Sequence, residues 1–431
     1  MNTLITRSAL GLLLATGLMG CANDDSGEPS AAAATTASSE YRATLTVVAD
    51  EVVIPAYANL INSTGELLTS VQNYCAAIGG VNEAANLAQA QASWRSALND
   101  IQTGLAFQLG PINENDQALA KRLNSPELAN RCVVDRSVVS FDDGLVTVDA
   151  VRDAGRGADA LEYLLFNSTL THTCPASVVE TQNWNALSDD ERLTQRCAYA
   201  EALATDLNST AQSLHNAWIS GGDDYRSNFI NAGTAGSDIA SQDDALTAAF
   251  EALFYLDTEV KDTKLGVPFG LHQNCFTTTC EDELQFTLSE SGARNLLSNL
   301  QGFKALLVGG FSDQAAESGE SLGAVNGFDD ILRVRGFAST VDDLLAKTDA
   351  GIVSLEAFVA NDQTLVDEVQ NIANATQAQI CQNASDDPST ATSHEACQIH
   401  GQIRQITDIL KGTFADVINI RLPERAESDN D

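Results

Sequence analysis

The sequence predicts an all-α protein built as two helical-bundle halves. Three observations carry that expectation. Apolar residues recur at three- and four-residue spacing through most of the chain. Strand-like alternation is scarce. A 431-residue chain with 44% hydrophobic residues, 6% aromatics and 8 Pro is globular rather than disordered, and it is long enough for two or three domains.

In chain order, residues 1–20 have the layout of a secretory signal peptide: Arg7, an apolar run from Ala9 to Ala15, then small residues before Cys21. Leu18-Met19-Gly20-Cys21 resembles a bacterial lipobox, with Cys21 as the lipidated residue. Ala22 and Asn23 follow it where an Asp is absent, which implies sorting to the outer membrane with the body facing the periplasm or cell surface. No later stretch holds about 18 uninterrupted apolar residues, so the lipid is the expected membrane anchor. Residues 21–41 read as that lipidated Cys and a flexible tether, rich in Ala, Ser, Thr, Asp and Gly.

The first bundle is expected over 42–235, with helical patterns from Leu45 to Cys75, Ala84 to Leu105, Val146 to Phe166 and Asp189 to Trp218. Pro55 should start or kink a helix at Ile54-Pro55. Val133 to Val148, where β-branched residues alternate around Asp142-Asp143-Gly144, predicts a short hairpin or an extended connection. Gly233 and Gly236, among small polar residues between Asn231 and Ser241, mark the division. The second bundle is expected over 236–425, with patterns from Asp243 to Lys261, Ala293 to Leu307 and onward.

Charge narrows the function. Lys and Arg number 23 against 59 Asp and Glu, a formal charge of −36, and such a surface is repelled by phosphate backbones, so nucleic acid is excluded as a partner. Apart from Cys21, eight cysteines remain, an even number that suggests disulfides in an exported chain. Proximity in sequence favours Cys174 with Cys197, Cys275 with Cys280 and Cys381 with Cys397, leaving Cys75 for Cys132.

The candidate site lies in Arg152–Phe166. Asp159 and Glu162 stand three apart and share a helix face. If that face is buried, a cation or an arginine must neutralise the pair, and Arg152 and Arg156 are close in sequence. Arg95, beside the packing residue Trp94, is a candidate counter-charge for Glu162.

This segment resembles the signature Gly-x-His-x-x-Glu of the imelysin family, with Gly157 and Glu162 in place and Asp159 where the family has His. Further pieces match in order: Val52-Val53-Ile54-Pro55-Ala56-Tyr57, Trp94-Arg95, Phe107 to Pro111, Trp218, Lys264-Leu265-Gly266-Val267-Pro268, Asn299-Leu300-Gln301-Gly302 and Gly327-Phe328-Asp329-Asp330-Ile331-Leu332. The resemblance implies an exported helical protein linked to bacterial iron uptake, with two bundle halves and the signature in the groove region between them. Some family members are labelled metallopeptidases. Here the departures weigh against that activity. Asp159 with Glu162 offers only oxygen, which suits iron or another hard cation better than zinc. Leu105 and Gln285 stand where the resemblance leads one to expect Glu, while Ser289 stands roughly where the family has a Ser.

No His-Glu-x-x-His, Walker-type or Gly-x-Ser-x-Gly segment occurs. His394-x-x-Cys397-x-x-His400 has ligand-like spacing, but a bridge from Cys397 to Cys381 is the stronger expectation, with both His at a bundle surface. The Cys275–Cys280 loop is expected at a groove mouth. Taken together, the expected function is binding of a metal ion or metal-bearing ligand as an accessory to iron uptake, beside a partner protein of the uptake system. The alternatives are a metallopeptidase and a non-metal binding or scaffold protein on the same fold.

Overall fold

The computed structural model describes residues 41–125, 128–312 and 327–414. Residues 1–40, which hold the stretch read as a signal peptide, Cys21 and most of the expected tether, lie outside the described residues, and Tyr41, the last residue of that expected tether, is already helical. From Tyr41 onward the described residues belong to one compact unit, and among them there is no strand.

Helix α1 (Ile54–Ala76) shows why the pattern predicted helix: Ala56, Tyr57, Leu60, Thr64, Leu67, Val71 and Tyr74 are all buried, at three- and four-residue steps. The chain is already helical from Tyr41, and a π-helical turn, Val48–Val53, runs without a break into α1, so Pro55 lies inside a continuous helix next to that irregular turn, where it offers no N–H to the ladder. The stretch Tyr41–Ala76 is long and apolar enough to cross a membrane by length and composition alone, yet its apolar face is core.

Helix α2 (Glu83–Leu105) packs against α1, and so does the long helix α6 (Asp189–Trp218). Ser188 caps α6 in a reciprocal arrangement with Glu191. Between them lie α3 (Glu114–Leu123), α4 (Arg131–Asp142) and α5 (Gly157–Phe166). The short helices α7 (Tyr225–Ile230) and α8 (Gln242–Glu251) lead to a π-helical segment, Leu256–Gly266. Then come α9 (Gly292–Val308), α10 (Phe328–Val334), α11 (Ala338–Ala360), α12 (Leu365–Asn371), α13 (Ala375–Asp386) and α14 (Glu395–Ile409). Helices α9, α11 and α14 pack together with the π-helical segment, and α2 packs directly on α9.

Three expectations are corrected. The stretch read as a hairpin or extended connection is mostly helix α4. Asn130 caps it by accepting from the Val133 N–H, and the buried set Val134, Ser137 and Val138 follows helical spacing. Packing on α6 decided between two patterns that overlap over so few residues. The pattern from Val146 to Phe166 is α-helical only from Gly157, because two 3-10 turns, Val148–Ala150 and Asp153–Gly155, come first. Two disulfides also differ: Cys75 bonds Cys197 and Cys132 bonds Cys174, while Cys275–Cys280 and Cys381–Cys397 are as expected. Helices α1 and α6 pack side by side and bring Cys75 to Cys197 across 122 residues, a closeness that separation along the chain cannot reveal.

Candidate functional site

Gly157 opens α5 with φ of +80°, a left-handed conformation that favours glycine. A Cβ there would lie 3.2 Å from the Leu123 carbonyl oxygen, so glycine lets the helix start close against the end of α3. Trp94 on α2 donates its indole N–H to the Ala158 carbonyl at 3.1 Å and stacks edge-on against Phe166 at 5.1 Å. These contacts fix α5 at both ends.

Asp159 and Glu162 are thereby held inside, each only 6% exposed. The Glu162 Oε1 accepts two bonds from one residue, the Ser289 N–H at 2.8 Å and its hydroxyl at 2.6 Å. Asp159 is less well served. Its Oδ2 accepts from the Asn124 amide at 3.4 Å, and its Oδ1 has no partner. Burial, reinforced by Glu162, pushes the Asp159 carboxyl well above the usual range, with Lys264 pulling the other way. Burial raises Glu162 as well, opposed by the two Ser289 donors and by Arg131.

The predicted neighbours divide. Ser289 and Gly157 are at the site. Arg95 reaches it indirectly: its guanidinium donates to the Ser289 carbonyl at 3.5 Å and lies over the Phe166 ring at 4.7 Å. Arg156 instead pairs with Asp153 at 2.6 Å, and Arg152 is exposed. The 3-10 turn at Asp153–Gly155 and the extended backbone of Arg156 separate both from the acids despite their closeness in sequence.

Sequence reasoning missed the polar chain behind Asp159. Asn124 accepts from Gln102 at 2.7 Å. Gln102 in turn accepts from Lys264 at 2.6 Å, and Lys264 also donates to Asn299 at 2.7 Å and Tyr255 at 3.2 Å. Burial lowers the Lys264 ammonium to about 8. Lys264 and Asn299 stood in the matching segments, so the signal was present without a role attached.

Two cavities flank this chain of contacts. One, of about 60 Å³, is lined by Asn124, Lys264, Tyr255, Glu259, Leu105 and Gln285, so two of the altered family positions meet there. The other, of about 390 Å³, has Asp159 and Glu162 in its wall together with Arg131, Glu281, Asp282 and Phe286. Glu281 and Asp282 directly follow the Cys275–Cys280 loop.

The ligand-like His394-Cys397-His400 spacing is not a site. Cys397 is in its disulfide, His394 bonds Gln377 at 2.7 Å and His400 bonds Ser385 at 2.8 Å. Both imidazoles are buried rather than at a bundle surface, 2% and 5% exposed, because α13 and α14 pack closely.

A resident metal fits the donor set poorly. Among the described residues no three or more His, Cys, Asp or Glu side chains gather. Of the two carboxylates present, Glu162 is already engaged by Ser289. Zinc sites use at least three protein ligands and hard cations six or more oxygens.

The solved structure of an imelysin-like protein from Psychrobacter arcticum 273-4 matches with a TM-score of 0.59 and 17% identity, over 90% of this chain and 98% of that one. A putative iron-regulated protein A precursor from Parabacteroides distasonis ATCC 8503 matches with a TM-score of 0.59 and 15% identity, over 90% and 97%. At these identities the likeness concerns the fold. No curated protein matches. The imelysin family model matches residues 53–394, most of the length, including the Gly157–Glu162 turn and the segments around Trp94, Lys264 and Asn299. The chain belongs to the imelysin family.

Proposed function

We propose that this protein is an exported accessory of iron acquisition, and that its Asp159–Glu162 pocket takes a metal-bearing ligand rather than a bare ion. The observation that carries this reading is the pocket itself. Two buried carboxyl groups, one with an unpartnered oxygen, border about 390 Å³ of space whose other walls mix Arg131, Glu281 and Asp282 with Leu128, Phe286 and Leu288. A metal carried inside an organic chelate brings most of its own donors, so the protein need supply only a few polar contacts and apolar surface. Iron as the cargo is supported by the family and by the Parabacteroides relative, described as iron-regulated. The lipobox-like Leu18–Cys21 segment supports a lipid anchor at the outer membrane, and such an accessory would hand its ligand to a partner protein of the uptake system. The donor set, two carboxylates with no histidine, does not suit a catalytic zinc.

The test is calorimetric titration of the purified protein with Fe³⁺, Zn²⁺, Ca²⁺, Mn²⁺, ferric citrate and iron-free citrate, repeated on an Asp159→Ala, Glu162→Ala double variant. One-to-one binding of the ferric chelate, lost in the variant, is expected. Stoichiometric binding of a bare ion that depends on both acids would replace the chelate with a resident-ion site. Equal binding of iron-free citrate would make this a non-metal binding protein on the same fold.

A further inference from the structure

A third cavity, of about 540 Å³, shares no lining residue with the Asp159–Glu162 pocket. It is bordered by helices α1, α2, α9 and α11. Helices α2 and α9 cross closely beside it: a Cβ on Gly302 would meet the Thr103 carbonyl oxygen at 3.1 Å. Across that crossing Asn299 donates to the Gln102 carbonyl at 2.7 Å, and both belong to the polar chain behind Asp159. Asp100 and Lys304 line the cavity from the other sides of the same two helices. The crossing therefore separates the two spaces.

The walls of the cavity carry more negative than positive charge. Asp100 on α2 and Glu356 on α11 both line it, and among the described residues neither is ion-paired. The lysine of the lining, Lys304, is bonded to Asp349 at 2.8 Å. Burial raises the Asp100 carboxyl, the Ser63 hydroxyl opposes that rise and the charge of Glu66 adds to it, so this acid sits in a negative field without a counter-charge. Apolar surface stands beside it. Phe311, just beyond the end of α9, is 52% exposed yet set edge-on against the buried Phe107 at 6.4 Å, and Ile352 contributes from α11.

A space of this size suits a small organic molecule. Among the described residues no three metal-ligating side chains gather, so a bare ion lacks its donors. An anion would be repelled by two uncompensated acids. A protonated amine, by contrast, finds carboxylates as acceptors for its N–H groups and an aromatic face that attracts cations. We propose that this cavity binds a small organic amine of the polyamine class, with Asp100 and Glu356 accepting from its ammonium groups and Phe311 and Ile352 covering its methylenes. The acidic surface, −36 in formal charge, raises the local concentration of such cations around the protein.

The experiment is calorimetric titration of the full chain with spermidine at physiological salt, and again with Mg²⁺ as competitor at matched ionic strength. It compares wild type, Asp100→Asn, Glu356→Gln, Phe311→Ala and the Asp159→Ala, Glu162→Ala double variant. Spermidine should bind one-to-one and resist Mg²⁺. Asp100→Asn should weaken it at least about tenfold, the loss of one charge-assisted bond. Phe311→Ala should weaken it about two- to fivefold, and the double variant should bind as wild type does. Absent binding, binding of several equivalents that Mg²⁺ displaces, or binding unchanged by both Asp100→Asn and Phe311→Ala overturns the proposal and leaves only diffuse attraction to an acidic surface. Loss in the double variant also overturns it, by moving the amine to the other pocket. Should Asp100→Asn fail to fold, the exposed positions decide: unchanged affinity in both Glu356→Gln and Phe311→Ala sinks the site.

Discussion

Asp135 and Asp159 are buried carboxylates on the consecutive helices α4 and α5, 1% and 6% exposed, and their surroundings are opposite. Asp135 accepts from the Tyr163 hydroxyl at 3.0 Å, from the Thr173 N–H at 2.8 Å and hydroxyl at 3.0 Å, and from Arg196 at 3.5 Å. Asp159 has one long bond and one oxygen with none. Tyr163 belongs to the same helix as Asp159, so α5 is anchored through one residue and left polar and unsatisfied through another. A fully satisfied buried charge holds a fold in one arrangement; a half-satisfied one lining a cavity is available to a ligand.

Removing Asp135 should therefore hurt most. Asp135→Ala strands the guanidinium of Arg196, itself 3% exposed, and should cost about 3–5 kcal/mol as read from urea unfolding. Asp159→Ala removes an acid with little to lose and should cost clearly less. Equal losses would break the comparison. Next in size is the crosslink between α1 and α6. Opening Cys75–Cys197 with a double Ser variant should cost about 2–4 kcal/mol, and non-reducing peptide mapping should recover a Cys75–Cys197 pair rather than Cys174–Cys197.

What the sequence made legible follows the range of the forces involved. Helices α1, α2 and α6 were readable because each repeats one apolar face over 23 to 30 residues. The local disulfides Cys275–Cys280 and Cys381–Cys397 were readable for the same reason of short range. Asp159 with Glu162 was readable because helical spacing puts them on one face. Their partners were not: Asn124, Gln102 and Lys264 come from three separate segments, and only packing joins them. Arg152 and Arg156 misled because closeness in sequence does not survive a 3-10 turn. Helix α4 misled because a dozen residues can satisfy a period of two and a period of 3.6 together.

Gly157 tests how the unsatisfied side is positioned. Gly157→Ala must hold φ near +80° and press its Cβ to within 3.2–3.4 Å of the Leu123 and Arg122 carbonyl oxygens. The left-handed conformation alone costs about 1–2 kcal/mol. Its loss should also weaken any ligand of the pocket, since Asp159 lies two residues on. A stability loss with unchanged ligand affinity would mean that the helix start supports the fold without aiming the acid.

The effect that vanishes in acid is the most diagnostic in its pH dependence. The folded-state value of Asp159 lies well above its unfolded value of about 3.9, so between the two the native state binds more protons than the unfolded one. Stability contributed by this group is thus complete below about pH 4 and is lost as pH rises through the folded value. Asn does not titrate, keeps an oxygen for Asn124 to donate to, and has the same size. Asp159→Asn should match wild type near pH 4 and become progressively more stable than it as pH rises, and relief of the mutual repulsion with Glu162 acts in the same direction. Asp135→Asn should instead lose stability, because Tyr163, Thr173 and Arg196 all donate to that carboxylate and an amide offers only one acceptor oxygen. Parallel unfolding curves for Asp159→Asn and wild type from pH 4 to 8 would place the Asp159 carboxylate in a satisfied environment, and the contrast between the two helices would fall with it.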